Sequence, residues 1–320
     1  MSIEEVQPRI YRISSTLGVR RFAQWLVAGD DRLLLVDTGV HGTAGNVIAP
    51  ALAELGRQLA DVDEVLISHA DVDHYGGNAE LRRLAPKARL RASAHDRDWL
   101  ERWEVISRER YGWYRGQGLD YDESTWNWLR DAAGPDTTLD EAIEAGETLD
   151  LGAIELEVLG LPGHSPGHLG VWHPPSGTAI VIDAVLERGL YTTAGDLVGP
   201  PPYSSVESYR GTIGRLRDLA PERLGTSHYP PIEGRGEVTT FLDASERFVD
   251  DLDQCLRSEL GPRPQRLEHF WRVADHALGP FAEMAVELAR SVGAHLDLAV
   301  ETGLAVRTEH QGLTTWRTAG

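Results

Sequence analysis

The apolar positions of the first 95 residues fall into short runs separated by turn residues. Three runs are rich in β-forming residues, and the last of them leads into an Asp-Thr-Gly turn: IYRIS (10–14), FAQWLVAG (22–29) and RLLLVDTG (32–39). A helical pattern around 43–58 is followed by the strand EVLIS (64–68), a helix over 77–84 and the strand ARLRASA (88–94). This alternation predicts an α/β domain.

The second half of the chain repeats the alternation, and polar residues follow its strands. Strands are predicted over 153–161, 168–173, 178–183 and 222–227, with a helix near 205–219. Four metal-capable side chains lie at or just past a predicted strand end: His69, His164, Asp183 and His228. Because a rigid sheet holds the loops at its strand ends in place, this recurrence predicts a functional site.

Residues 96–131 form a separate segment that is dense in aromatic residues and that we interpret as a helical insertion. It holds five of the nine tryptophans and three tyrosines. These rings either pack the insertion onto the sheet or line an apolar substrate pocket, and a short insertion seldom needs so many large rings for packing alone. Two aromatic residues of this segment are candidates for the pocket wall, Trp113 and Tyr114. Two tyrosines further along the chain, Tyr203 and Tyr229, are candidates as well.

The chain after residue 262 has a different pattern, and we divide the protein into a catalytic domain over 1–262 and a small domain over 263–320. Helices are predicted at 266–277, 279–291 and 294–303, followed by two β-like runs around Gln311-Gly312, which together resemble a winged helix. This segment contains six arginines against seven acidic residues. A helix that reads a DNA groove needs a basic face, so we expect a packing or homodimerisation module.

Composition narrows the classes of function. The net charge is −19, with 31 Lys+Arg against 50 Asp+Glu, which disfavours nucleic acid as a partner. The acidic start shows no secretory signal, and no apolar run approaches the roughly 20 residues of a membrane span, so we expect a cytoplasmic protein that binds no membrane. Cys255 is the single cysteine, which excludes an intramolecular disulfide and a cysteine-rich zinc site.

The most informative stretch is Ser68-His69-Ala70-Asp71-Val72-Asp73-His74-Tyr75-Gly76-Gly77. Four metal-capable side chains fall within six residues at the end of an apolar strand. Carboxylates so close together repel one another unless a cation neutralises them. The glycine pair lets the following helix start close to this segment.

HADVDHYGG resembles the HxHxDHxGG motif of the metallo-β-lactamase superfamily, which includes glyoxalase II, lactonases and phosphodiesterases. The resemblance covers residues 10–245. Four further markers of the family occur in the family's order along the chain: Asp37 in LLLVDTG, His164 in PGHSPGH, Asp183 in AIVIDAV and His228 in TSHYPP. The resemblance implies a four-layer αββα sandwich. The C-terminal part is similar, more weakly, to a winged-helix appendage on some members.

The resemblance also implies a site for two divalent metal ions. One metal would be held by His69, Asp71 and His164 and the other by Asp73, His74 and His228, with Asp183 bridging the two. Asp37 would accept a hydrogen bond from a ligand imidazole, and His168 would support the ligands without binding metal. We expect the metal to be zinc. Asp71 stands where the family usually has His, and because a carboxylate is a harder ligand than an imidazole, iron and manganese are the alternatives.

Our first functional hypothesis is a metal-dependent hydrolase that cleaves a small ester, thioester or lactone with a metal-bridged hydroxide. Two cations lower the pKa of a bridging water from its value in bulk solvent towards about 7, and Asp71 or Asp73 would orient this water or relay its proton. Asp71 keeps two alternatives open, a dinuclear iron protein that uses oxygen and a phosphodiesterase or nuclease. A winged-helix regulator with a sensor domain is the non-enzymatic alternative.

Overall fold

The computed structural model describes residues 1–319. Its first sheet contains seven strands in sequence order, the first four antiparallel and the last three parallel to the fourth. The strands are β1 (Ser2–Gln7), β2 (Ile10–Leu17), β3 (Arg20–Ala28), β4 (Leu33–Val36), β5 (Glu64–Leu66), β6 (Arg89–Ala92) and β7 (Glu141–Ala142). The strand β1 was not predicted, because its acidic sequence lacks the alternation of a half-buried strand.

The second sheet is built from the second half of the catalytic part. Its chain segment contains β8 (Thr148–Asp150), β9 (Glu155–Gly160), β10 (Leu169–His173), β11 (Thr178–Ile180), β12 (Leu190–Tyr191), β13 (Leu197–Gly199), β14 (Arg223–Gly225) and β15 (Ile232–Glu233). The order across the sheet is β15-β14-β11-β10-β9-β8, while β12 and β13 form a separate hairpin. The pair β11 and β14 is parallel, so their carboxyl ends lie at the same edge.

Helices cover the outer faces of both sheets and form the insertion. They are α1 (Ala49–Glu54), α2 (Val72–Tyr75), α3 (Asn78–Leu84), α4 (Arg97–Glu101), α5 (Trp103–Ile106), α6 (Glu123–Ala133), α7 (Val206–Leu219), α8 (Arg235–Glu259), α9 (Leu267–Leu278) and α10 (Ala285–Glu301). The insertion over 96–131 is helical, as its sequence predicts, and holds α4, α5 and most of α6. Within residues 1–319, no helix is long and apolar enough to span a membrane.

The alternation along the strands sorts apolar side chains into three cores. In β4, Leu34 and Val36 point into a core between the two sheets, where side chains of β9, β10 and β11 meet them. Leu33 and Leu35 point the other way, onto the helices of the first half. The outer face of the second sheet packs on α7 to α10. Because side chains on a strand alternate between faces, this pattern produces the predicted four-layer αββα sandwich.

The C-terminal part differs from its prediction in one element. The helices expected over 279–291 and 294–303 are a single helix, α10, with Gly293 in its interior. A Cβ on Gly293 would lie 2.2 Å from the Tyr114 hydroxyl, so the glycine leaves room for a tyrosine of the insertion rather than ending the helix.

Three antiparallel strands close the C-terminal part, namely β16 (Gln265–Arg266), β17 (Ala305–His310) and β18 (Leu313–Thr318), in the order β16-β18-β17. One core continues from the second sheet through α8 into these elements, from Leu159 to Trp316. The boundary at 262 and the winged-helix assignment stay predictions.

Candidate metal centre

The predicted site residues converge where strands of both sheets end. Asp37 follows β4, and His69 lies three residues past the end of β5. His164, Asp183 and His228 follow β9, β11 and β14 in the second sheet. The site therefore lies at the edge of the sandwich where loops from both sheets meet, which is the arrangement that the strand-end pattern indicates.

Six of the seven predicted ligands form two groups whose donor atoms lie within 4.8 Å of one another. One group contains His69, His164 and Asp183, and the other contains Asp73, His74 and His228. Asp183 also approaches the second group, because its Oδ2 lies 3.1 Å from His228 Nε2 and 3.4 Å from His74 Nε2. This position between the groups is the one expected of a bridging carboxylate.

The ligand imidazoles are fixed through their Nδ1 atoms. The Nδ1 of His164 donates to the carbonyl oxygen of Pro202 at 2.7 Å, and that of His228 donates to the carbonyl oxygen of Arg21 at 3.0 Å. A carbonyl oxygen can only accept, so each Nε2 keeps its lone pair for the site. Hydrogen bonds of this kind fix the tautomer and orientation of metal-binding histidines.

Asp37 lies where the sequence places it, behind the ligands. Its Oδ2 accepts hydrogen bonds at 2.8 Å from His74 Nδ1 and from the Ser68 hydroxyl, and its Oδ1 accepts from the Ser68 amide at 2.7 Å. The Ser68 oxygen in turn accepts from His69 Nδ1 at 2.9 Å. One buried carboxylate thus orients a histidine of each group, directly for His74 and through Ser68 for His69.

Several buried atoms at the site have no hydrogen-bond partner among the described residues. They include Nε2 of His69, Nε2 of His74 and Oδ1 of Asp183. A buried polar atom without a partner costs free energy, roughly 1–3 kcal/mol each. Nitrogen and carboxylate oxygen donors that converge in this way fit divalent cations, since a cation would satisfy these atoms together.

The charges of His69 and Asp183 agree with that fit. Burial opposes a charge on His74, but Asp183, Asp73 and Asp37 raise its pKa well above its usual range, which shows that the carboxylates around it attract a positive charge. Burial, with the nearby His74 ring, lowers the pKa of His69 to about 4, so its imidazole is neutral at pH 7 and able to donate a lone pair. Burial alone would raise the pKa of Asp183, but His228 and His74 hold it well below its usual range. His168 stacks on His69, with ring centroids 4.7 Å apart, and lies outside both ligand groups.

Asp71 differs from the other predicted ligands, because an arginine holds it. Nη2 of Arg110 donates to Asp71 Oδ2 at 2.8 Å, and Nε of Arg110 contacts Oδ1. The same Oδ2 lies 3.1 Å from His164 Nε2 and 3.7 Å from His69 Nε2, at the edge of the first ligand group. The Arg110 guanidinium keeps the pKa of Asp71 well below its usual range although burial opposes this.

Arg110 is held from its other side by the C-terminal part. Glu287 on α10 pairs with Arg110 at 3.1 Å and accepts a hydrogen bond from the Tyr121 hydroxyl. All three side chains of the Asp71-Arg110-Glu287 chain are largely buried, with exposed side-chain fractions of 14%, 4% and 9%. Sequence reasoning missed Arg110 and Glu287, because no motif or spacing connects residues 177 positions apart.

The ion pair with Arg110 changes what an aspartate at position 71, instead of the usual His of the family, contributes to the site. A carboxylate bound to a guanidinium has no net charge as a pair, so the exchange of His for Asp adds less negative charge to the site than the sequence indicates. It also makes Asp71 a poor proton carrier, since both its oxygens are engaged. Asp73 has no such partner and lines the open cavity at the site.

The predicted pocket residues require a correction. The cavity above the ligand groups has a volume of about 170 Å³, and none of Trp113, Tyr114, Tyr203 or Tyr229 lines it. Tyr203 is fully buried and bonds to His295 at 2.8 Å, while the Tyr229 hydroxyl donates to the carbonyl oxygen of Leu186 at 2.6 Å. These two tyrosines therefore belong to the structural core.

Other residues of the insertion do form the cavity wall, together with the loops after β11 and before α10. The aromatic and aliphatic side chains that line it are Tyr111, Tyr121, Trp128, Leu129, Leu186, Leu190 and Met284. The expectation that the insertion contributes aromatic side chains to the pocket holds, but for residues other than those named from the sequence. Trp113 and Tyr114 line a different cavity.

Comparison with known proteins agrees with this architecture. The sequence profile described as Metallo-beta-lactamase superfamily matches residues 23–228. A metallo-beta-lactamase family protein of Thermus thermophilus superposes with a TM-score of 0.75 at 21% identity, covering 98% of this chain and 100% of that one. A beta-lactamase domain protein of Burkholderia ambifaria gives a TM-score of 0.76 at 20% identity, covering 99% and 94%.

Curated relatives with named activities align with a smaller share of the chain. The acyl-coenzyme A thioesterase MBLAC2 of Gallus gallus is 25% identical over 232 residues, which is 68% of this chain and 73% of that protein. A hydroxyacylglutathione hydrolase of Synechococcus sp. (strain JA-3-3Ab) is 26% identical over 180 residues, 56% of this chain and 53% of that protein.

The chain belongs to the metallo-beta-lactamase superfamily. It is an enzyme of the hydrolase class, of a family that binds divalent metal ions, and the predicted superfamily, fold and enzyme class are confirmed. The individual ligands, the number of metals and the substrate stay predictions.

Proposed function

We propose that the protein is a dinuclear metal-dependent hydrolase that cleaves a small thioester, with simple esters and lactones as related substrates. The observation that carries this proposal is the cavity itself, which places an apolar wall beside two groups of metal-capable side chains. A small acyl compound needs that combination, since its alkyl or aryl part is bound by apolar contacts while its carbonyl faces polar groups.

We propose the division of the ligands that the family resemblance implies. One cation would be held by His69, His164 and Asp71. The other would be held by Asp73, His74 and His228, and Asp183 would bind to both cations. Bound divalent cations supply the Lewis acidity that polarises a carbonyl and lowers the pKa of water.

The chain's own residues perform the remaining tasks. Asp37 and the backbone carbonyls orient the imidazoles, so that the ligand nitrogens face the cavity without rearrangement. Arg110 keeps Asp71 ionised, and Glu287 holds Arg110 in place. Leu186, Leu190 and the ring of Trp128 line the cavity and limit the access of bulk water.

The charge of the cavity supports a neutral acyl substrate over a polyanion. Five carboxylates line it, from Asp71, Asp73, Asp183, Glu283 and Glu287, against the two arginines Arg20 and Arg110. Two of these acids, Glu283 and Glu287, lie outside the ligand groups and would repel additional phosphates. The names of the relatives, an acyl-coenzyme A thioesterase and a hydroxyacylglutathione hydrolase, also support acyl chemistry.

A substrate panel tests the proposal. Protein loaded with zinc, manganese or iron is assayed against short acyl thioesters, p-nitrophenyl esters, lactones and bis-p-nitrophenyl phosphate. We expect thioesters to give the highest kcat/KM, with activity lost on chelation and restored by metal. Turnover of the phosphodiester at a higher kcat/KM than every acyl compound would overturn the assignment to acyl hydrolysis.

A further inference from the structure

A second cavity lies between the insertion and α10 and is separate from the one above the ligand groups. It has a volume of about 190 Å³, and its wall includes Trp99, Trp113, Tyr114 and Arg290. None of these residues lines the cavity at the candidate metal centre. An engineered cavity of about 150 Å³ can hold benzene, so this cavity is large enough for a small organic molecule.

Arg290 is a buried cation without a partner. It is 7% exposed, and within residues 1–319 no carboxylate lies within 4.0 Å of its guanidinium and no hydrogen bond is made by it. Its Nε is fully enclosed and unsatisfied. Buried charges in proteins are normally paired, because removing an unpaired charge from water costs several kcal/mol or more.

The acidic groups around Arg290 already have other partners. Glu287, one turn earlier on α10, is bound by Arg110 and Tyr121. Asp297, at the cavity wall, pairs with Arg307. Glu109 accepts hydrogen bonds from Trp99 at 3.1 Å and from Arg108 at 2.7 Å. Arg290 therefore forms no direct ion pair with any of these acids, although the Glu287 carboxylate, one turn earlier, still attracts it electrostatically.

Tyr114 adds a second donor to the same wall. Its hydroxyl makes no hydrogen bond with any part of the chain that the structure describes, and it lies over Gly293, one turn beyond Arg290. An arginine and a phenol that line one cavity, both without acceptors, suit a ligand that brings acceptor oxygens. The ring of Trp113 is 65% exposed and offers an apolar surface for the rest of such a ligand.

We infer that this cavity is a binding site for a small organic monocarboxylate with a flat apolar part, held by Arg290 and Tyr114 and covered by Trp113. The planar guanidinium matches the two oxygens of a carboxylate. Glu109 and Asp297 in the wall disfavour a second negative charge, so a carboxylate fits better than a phosphate dianion. The inference does not depend on the reaction at the metal centre.

Phenylacetate is a suitable probe, followed by tryptophan fluorescence and by calorimetry on the full chain. Metal-loaded and chelated protein are titrated in parallel, because a carboxylate also binds to metals, and only the signal common to both samples reports on the second cavity. Methyl phenylacetate and inorganic phosphate are the matched neutral and dianionic probes. We expect phenylacetate to bind at least tenfold more tightly than either.

Three variants separate the site from a structural role. Arg290→Met keeps the aliphatic packing and removes the charge, so it is expected to weaken phenylacetate binding at least tenfold without lowering Tm, because no direct ion pair is broken. Ala294→Leu, on the same wall, fills the cavity and is expected to abolish binding with Arg290 intact. Arg263→Met removes an exposed charge elsewhere and should bind as the wild type does.

The outcomes decide the inference. Wild-type affinity in Arg290→Met or in Ala294→Leu would overturn it, and so would phosphate binding more tightly than phenylacetate. If Arg290→Met does not fold, the arginine is structural and the inference fails, whatever the activity of the wild-type enzyme. A wild-type protein without thioesterase activity would leave the inference intact, so the two proposals fail independently.

Discussion

Replacing Arg110 by Met tests how the insertion and α10 support the metal centre. The substitution keeps most of the side-chain volume and removes the guanidinium that lies between Asp71 and Glu287. Both carboxylates then lose their cationic partner in a largely buried environment. In the metal-free protein we therefore expect a loss of stability rather than a neutral change.

The magnitude follows from the burial of the pair. Removal of one partner of a buried ion pair costs about 3–5 kcal/mol, because the charge that remains is uncompensated. The entropy of unfolding grows with chain length, so for 320 residues each kcal/mol lowers Tm by roughly 1.5 °C and the expected decrease is about 5–8 °C. Zn²⁺ should recover part of it, since a cation beside Asp71 replaces the missing positive charge.

Thermal unfolding of chelated and zinc-loaded protein measures both effects. Arg108→Met is the matched control, because Arg108 lies two residues away, is 62% exposed and should leave Tm unchanged. A chelated Arg110→Met variant with the Tm of the wild type would refute the argument that the ion pair supports the site. An equal deficit with and without zinc would show that Asp71 does not face the metal.

The other predictions concern the ligands and their surroundings. Asp183→Ala should retain less than a tenth of wild-type kcat in a steady-state assay with a similar circular dichroism spectrum, since the bridging ligand is lost; a higher kcat would count against that role. Asp71→His should raise the zinc content relative to iron and manganese by elemental analysis, and unchanged content would remove Asp71 as the determinant of selectivity. Gly76→Ala should cost about 1–3 kcal/mol in denaturant unfolding, because the new Cβ would lie 1.9 Å from a backbone oxygen of α6, whereas Gly116→Ala meets nothing within 4 Å and should not. The pKa of His69 is about 4 in the folded protein, whereas an unfolded chain binds a proton at this residue near pH 6.5. The chelated protein should therefore lose stability as the pH falls from 6.5 to 4. His69→Gln should flatten that slope, and an unchanged slope would contradict the assignment.

The sequence predicted those parts of the fold that depend on local pattern. Short runs of β-forming residues between turn residues indicated β3 and β4, and the metal-capable residues that follow predicted strands indicated where the loops converge. These signals are local in sequence, so they can be read without the tertiary structure. The αββα layering came from the resemblance of the motifs, since no alternation pattern by itself specifies how two sheets pack.

Parts that depend on tertiary contacts were not predictable. Gly293 indicated a break between two helices, yet α10 continues through it because the Tyr114 hydroxyl occupies the space of its side chain. The partner of Asp71 is supplied by the insertion and fixed by Glu287, which no spacing relates to the motif. The four residues predicted to line the pocket do not line it for the same reason, since the direction of an aromatic ring depends on the elements that pack against it.

Anomalous diffraction at the zinc absorption edge, on crystals of zinc-loaded protein, shows whether the seven candidate ligands hold two divalent cations at the edge of the sandwich. We expect a two-metal site, with one peak among His69, His164 and Asp183 and the other among Asp73, His74 and His228. Density at neither group, or metal bound only elsewhere on the surface, would contradict it.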